Sequence, residues 1–104
     1  MPDPTTPFAN GWTVVGVVRT QAITKSLPDG NYSGIVIKAP GASDDAPNTV
    51  AVYVGTNSVT ADQNANTGGF PLAPGESISV PLLSAEDVYV VASSNSQAVA
   101  WWLQ

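Results

Sequence analysis

Two pairs of adjacent acids, Asp44-Asp45 and Glu86-Asp87, and one lysine next to a hydroxyl, Lys25-Ser26, are where this sequence could seat general acid–base or nucleophilic chemistry. The chain has no histidine and no cysteine. Catalysis without them needs paired carboxylates, a serine–lysine couple or a metal ion. Neighbouring residues on a strand point to opposite faces, so none of these pairs can converge on one substrate atom from a strand. In a loop, such pairs are ordinarily solvated. The sequence therefore carries no catalytic set, and neither an enzymatic activity nor a cofactor is expected.

Asp44, Asp45 and Asp62, with the asparagine-rich run beside Asp62, offer the hard oxygen ligands that calcium takes, but not the ordered spacing of an EF-hand loop. They stand as calcium candidates on ligand type alone. Asn31-Tyr32-Ser33 matches the glycosylation sequon, an incidental match in a chain expected to stay in a cytoplasm. Gly55, Gly68, Gly69 and Gly75 sit among Thr, Asn and Pro in turn-like surroundings and form no phosphate-binding pattern.

The aromatic residues are more informative. Two of the three tryptophans, Trp101 and Trp102, fall in the last four residues. In a strand, Val99, Trp101 and Leu103 share one face, while Ala98, Ala100 and Trp102 share the other. One indole can be core; the other looks outward unless a loop or a partner covers it. Leaving an indole in water forgoes about 1.5–3 kcal/mol of burial. Phe8, Trp12, Trp101 and Trp102 are thus the candidate residues for contact with another subunit or a partner. Tryptophan faces also stack on sugar rings, which makes a glycan the second class of ligand, ranked below a protein contact.

These groups must be positioned by a chain of 104 residues, a length that suits one domain with an uncrosslinked core. Three basic residues, Arg19, Lys25 and Lys38, stand against eight acidic ones, and the net charge of −5 argues against nucleic acid as a partner. The opening "MPDPTTPFANGW" has neither the basic nor the apolar region of a signal peptide, and no apolar run reaches the roughly 18 residues of a membrane span. The expectation is a soluble protein made in a cytoplasm, with no membrane partner.

Pro2, Pro4 and Pro7 predict an extended N-terminal arm over residues 1–11, leaving residues 12–104 as a single β domain. From Trp12 onward, runs rich in Val, Ile, Thr and Tyr alternate with turn residues. "LPDGNY" predicts a hairpin into "YSGIVIKA", residues 40–48 an exposed loop, Pro74-Gly75 a turn, and Ser94-Asn95-Ser96 the turn of a closing hairpin. With about seven or eight short strands and no amphipathic helix, the fold class is all-β, an antiparallel β-sandwich or jelly-roll-like barrel with an extended N-terminal arm.

Residues 48–104 carry a further pattern: Val52-Tyr53-Val54-Gly55, then Ser58-Val59-Thr60, a polar loop, the run from Gly69 to Ser77, and Val88-Tyr89-Val90-Val91 before a closing hairpin. This pattern resembles small structural proteins of tailed bacteriophage virions, most closely the capsid decoration or cement proteins. The resemblance implies a small β domain on the capsid exterior that self-associates as a homotrimer and binds the major capsid protein or another virion protein. Neck, fibre-base and tail-associated virion proteins are the alternatives. Residues 1–47 lie outside the resemblance.

Overall fold

A computed structural model describes residues 9–23, 34–81 and 88–103. Eight strands and no helix occur among them: β1 (Ala9–Val15), β2 (Thr20–Gln21), β3 (Gly34–Lys38), β4 (Val52–Gly55), β5 (Phe70–Leu72), β6 (Ser77–Pro81), β7 (Tyr89–Ala92) and β8 (Gln97–Leu103). They build two four-stranded sheets, a front sheet in the order β1-β8-β3-β6 and a back sheet in the order β2-β7-β4-β5. Every strand pairing is antiparallel. Four of the pairings nest: β4 with β5, β3 with β6, β2 with β7, and β1 with β8. The chain therefore runs as a ribbon doubled back on itself at the β4–β5 connection, and that connection alone joins consecutive strands of one sheet.

This order corrects one expectation. The closing segment, read as a hairpin turning at residues 94–96, is a crossing between sheets: β7 lies in the back sheet and β8 in the front. Two β-rich runs on either side of a turn fit both arrangements, so local pattern alone could not separate them. The turn is held by its neighbours instead. Asn95 accepts a hydrogen bond from the Val17 amide at 3.0 Å, its carbonyl accepts one from Gln97 Nε2 at 3.0 Å, and Ser96 takes a positive φ of 64°. Pro74-Gly75 behaves as expected for a type II turn, with Gly75 at φ 95° and the Glu76 amide bonded to the Ala73 carbonyl at 2.9 Å. It too joins strands of opposite sheets.

The core lies between the sheets. Val15, Ile35, Ile37, Val99, Trp101 and Leu103 face in from the front, and Val52, Val54, Leu72, Val90 and Ala92 from the back. In β8 the odd positions are all buried, so the face predicted to hold Val99, Trp101 and Leu103 together is the core face. The Trp101 indole needs room on the neighbouring strand. Its register partner is Gly11, where a Cβ would stand 2.8 Å from Trp101 Cζ2.

β1 starts at Ala9, three residues earlier than expected, so Ala9, Asn10 and Gly11 belong to the sheet and not to an arm. Residues 1–8, with Phe8, lie outside the described residues, as do Lys25-Ser26, the expected turn at residues 27–32, and Glu86-Asp87.

The ladder between β3 and β8 ends for a chemical reason. Its register pairs Lys38 with Ala100 and, carried two residues on, would set Pro40 opposite Ala98, but proline has no N–H to give. Asn48 takes over: its side-chain amide donates to the Ala98 carbonyl and accepts from the Ala98 amide, both at 2.8 Å, while its own N–H bonds the Pro40 carbonyl at 3.0 Å. Gln97 fixes the next turn of the same loop, accepting from the Thr49 and Val50 amides at 2.8 and 3.2 Å.

Candidate functional site: the open face of the front sheet

Even-numbered residues of β1 and β8 point away from the core, and the strand registers set them in rows. Asn10, Trp102 and Val36 form one row, Trp12, Ala100 and Lys38 the next, and Val14 stands beside Ala98. Trp12 is 63% exposed, Trp102 50% and Val14 78%. The two tryptophans are diagonal neighbours across Ala100, a relation that puts Cβ atoms about 7–8 Å apart, within reach of large aromatic groups. Ala98 and Ala100 form a low floor beside them. A strip of two indoles and a valine thus lies on an open sheet face.

At one end the strip meets the loop following β3. Trp12, Pro40, Asp44, Asp45 and Ala98 line an open recess of about 400 Å³ there. Asp44 is largely committed to the loop itself. Its Oδ2 accepts the Gly41 amide at 2.8 Å and lies 3.7 Å from Lys38 Nζ, a solvent-exposed ion pair of small energetic weight. Asp45 is exposed at the rim.

The outer face of the back sheet is treated differently. Val91 points away from the core yet is buried, and it shares a recess with Val59 from the excursion at residues 56–69. Val59 is buried as well, and at Gly55 and Gly69 a Cβ would come within 2.8 and 2.6 Å of its Cγ2. Glycine at both positions lets the excursion lie flat against the sheet. Backbone bonds within the excursion fix its shape, from the Thr60 amide to the Thr67 carbonyl at 2.8 Å and from the Gly69 amide to the Thr60 carbonyl at 3.1 Å. Asp62 caps its turn, accepting from Thr60 Oγ1 at 2.7 Å and the Asn64 amide at 3.0 Å. These two bonds, the Thr60 hydroxyl first, hold the Asp62 carboxyl below its ordinary pKa of 3.8.

Comparison with models of protein families, with curated proteins and with solved structures finds no match.

Of the four aromatic candidates, Trp12 and Trp102 come together on one face. Trp101 does not join them: at 3% exposure it is core, so as a contact residue it is corrected to a packing residue. The calcium candidates are not gathered either. Asp44 and Asp45 belong to the loop after β3 and Asp62 to the excursion between β4 and β5, and no cluster of three acids occurs among the described residues. Sequence reasoning missed Val14, which only the alternation Asn10, Trp12, Val14 could have added to the strip. It also missed Val17, Val18 and Phe70, all exposed, and Asn48, whose role depends on a register that no local pattern encodes.

Proposed function

We propose that this chain is a structural protein of a bacteriophage virion, a capsid decoration protein without enzymatic activity. On this reading it self-associates, threefold where it sits on the shell, and sets the open face of its front sheet against the major capsid protein on the capsid exterior. On this reading the two four-stranded sheets are those of a jelly roll, an architecture that recurs among viral capsid and lectin domains. The nested pairings support that: a ribbon doubled at β4–β5 and wrapped so that β3 also meets β8, and β4 also meets β7, is how two interleaved Greek keys arise.

The observation that carries the reading is the inequality of the two outer faces. The excursion at residues 56–69 lays the buried Val59 beside Gly55 of the back sheet, whereas Trp12, Val14 and Trp102 of the front sheet are 63%, 78% and 50% exposed. Large aromatic groups set on an accessible sheet face, with the Lys38–Asp44 pair only at its border, are the composition of an interface centre. The test is to add the protein back to particles that lack it and follow co-sedimentation. The Trp12→Ala/Trp102→Ala double variant should lose shell binding while unfolding near the wild-type temperature. Full binding by that variant, or electron-microscopic density for the chain at the neck or tail, would overturn the assignment.

One observation favours a second reading. The recess beside Trp12 sets an indole next to Asp44 and Asp45, the pairing of stacking surface and hydroxyl acceptor that a sugar ring uses. A glycan-binding module would show a saturable change in tryptophan fluorescence with an array-selected glycan, abolished by Trp12→Ala; a decoration protein would not.

A further inference from the structure

We infer that the recess at Trp12 receives an arginine side chain of a partner protein, with the guanidinium against the indole and its N–H groups turned to the Asp45 carboxylate. The inference rests on the reading of the front face as a contact surface and names the group that meets it.

The recess exists because Pro40 ends the β3–β8 ladder and sends the chain outward over residues 41–47. Backbone contacts brace that loop. The Asn48 amide bonds the Pro40 carbonyl at 3.0 Å, and the Asp44 amide bonds the Gly41 carbonyl at 2.9 Å. Gly41 lies so close to the Pro74-Gly75 turn that a Cβ on it would stand 2.7 Å from Gly75 Cα. The Asp44 carboxylate is fixed as well, by the Gly41 amide at 2.8 Å. Acceptors set on a braced loop need little ordering when a ligand arrives, which lowers the cost of binding.

Three properties of the recess agree on the charge of its occupant. Its described lining residues include two carboxylates, Asp44 and Asp45, and no cationic side chain. Trp12 is 63% exposed, and an indole face is the negative side of the ring quadrupole, which attracts cations. The net charge of −5 adds to the pull on a cation and repels an anion. The loop already holds one cation of the chain's own, since Lys38 Nζ lies 3.7 Å from Asp44 Oδ2. Lys38 thus answers Asp44, and the exposed Asp45 is left to answer a partner's charge. A sugar ring would use the indole and leave that charge unmatched; a guanidinium uses both. Arginine fits better than lysine because its planar fork stacks on an aromatic face and gives two N–H groups to one carboxylate. Pro40 and Ala98 offer apolar surface to its methylene stem.

The probe is N-acetylarginine amide, titrated into the intact chain at fixed ionic strength and followed by NMR of the backbone and indole N–H groups. N-acetylcitrulline amide is the uncharged counterpart of the same shape. The arginine probe should shift the Trp12 indole N–H and the amides of residues 43–46 together and saturably, and the citrulline probe should not. Asp45→Asn should weaken binding about twofold to fivefold, and Trp12→Leu by a similar factor. Asp62→Asn makes the same charge change at the excursion beside the other sheet and should leave binding unchanged, which separates a local site from the general field. Lys38→Gln, which removes the resident cation, should tighten it. Equal binding of the citrulline probe, Asp45→Asn matching wild type, or Asp62→Asn weakening binding as much as Asp45→Asn overturns the inference. So does a methyl glycoside that saturates the same signals where arginine does not, which would give the recess to a sugar. Shell docking is decided separately, by co-sedimentation of the Trp12→Ala/Trp102→Ala variant, so a flat arginine titration removes this inference and leaves that reading standing.

Discussion

Replacing Asn48 tests whether one side chain can stand in for a strand. Asn48→Ala removes two 2.8 Å hydrogen bonds to Ala98 at the point where Pro40 cannot continue the ladder. At roughly 0.5–1.5 kcal/mol for each bond, the loss is about 1–3 kcal/mol, a fall of about 5–15 °C in Tm for a domain of this size. Asn48→Asp is the sharper perturbation. The carboxylate still accepts from the Ala98 amide, but its second oxygen then faces the Ala98 carbonyl with no proton between them. The folded state therefore favours the protonated form of the introduced carboxyl, and its pKa is raised above the unfolded value. A raised folded pKa contributes stability that is present below the unfolded pKa and lost as pH rises through the folded one. Asn48→Asp should thus be about as unstable as Asn48→Ala at neutral pH and regain stability relative to it on acidification. Urea unfolding of wild type and both variants at neutral and acid pH measures this directly. An Asn48→Ala loss under about 0.5 kcal/mol, or an Asn48→Asp variant matching wild type at neutral pH, would refute the account of the loop.

Gly11→Ala should destabilise the fold by about 1–3 kcal/mol, because its Cβ would stand 2.8 Å from a rigid indole that the core already holds in place; unchanged near-UV circular dichroism and unchanged urea midpoint would disprove the contact. Asp62 has a depressed folded pKa, so its capping of the excursion is present above the ordinary value of 3.8 and is lost as pH falls through the lower folded value. An NMR titration of the Asp62 carboxyl and the Asn64 amide should show a common midpoint below that of a free aspartate, and Thr60→Val should raise it; a midpoint at or above 3.8 contradicts the assigned bonds.

Local signals carried the elements that local chemistry decides. The alternation from Ala98 to Leu103 is legible because β8 is paired on both sides and covered on one face only, so period two survives in the sequence. Pro74-Gly75 is legible because Gly75 needs a positive φ. What failed to show was every feature fixed by distant pairing. β7 reads Tyr-Val-Val-Ala with no alternation because Val91, on its outer side, is buried too, in a recess it shares with Val59, 32 positions away in sequence. The crossing at residues 93–96 looked like a hairpin for the same reason: the strands that decide it, β1, β3 and β4, are remote. Of the site, the exposed indole at Trp102 was legible from its opposition to Trp101, while the grouping of Trp12, Val14 and Trp102 required the β1–β8 register.

That grouping also sets how the face can work. Covering Trp12, Trp102 and Val14 to the extent they are now exposed would return about 3–6 kcal/mol of burial, judged from side-chain transfer values. Association of two bodies costs about 4–15 kcal/mol in lost freedom before any contact forms. One copy of this strip alone is therefore a weak binder. Two such strips held on one body would change the balance, because the second would bind as an intramolecular event once the first is engaged. On the proposed reading, a shell that repeats supplies that condition, with many weak contacts acting together.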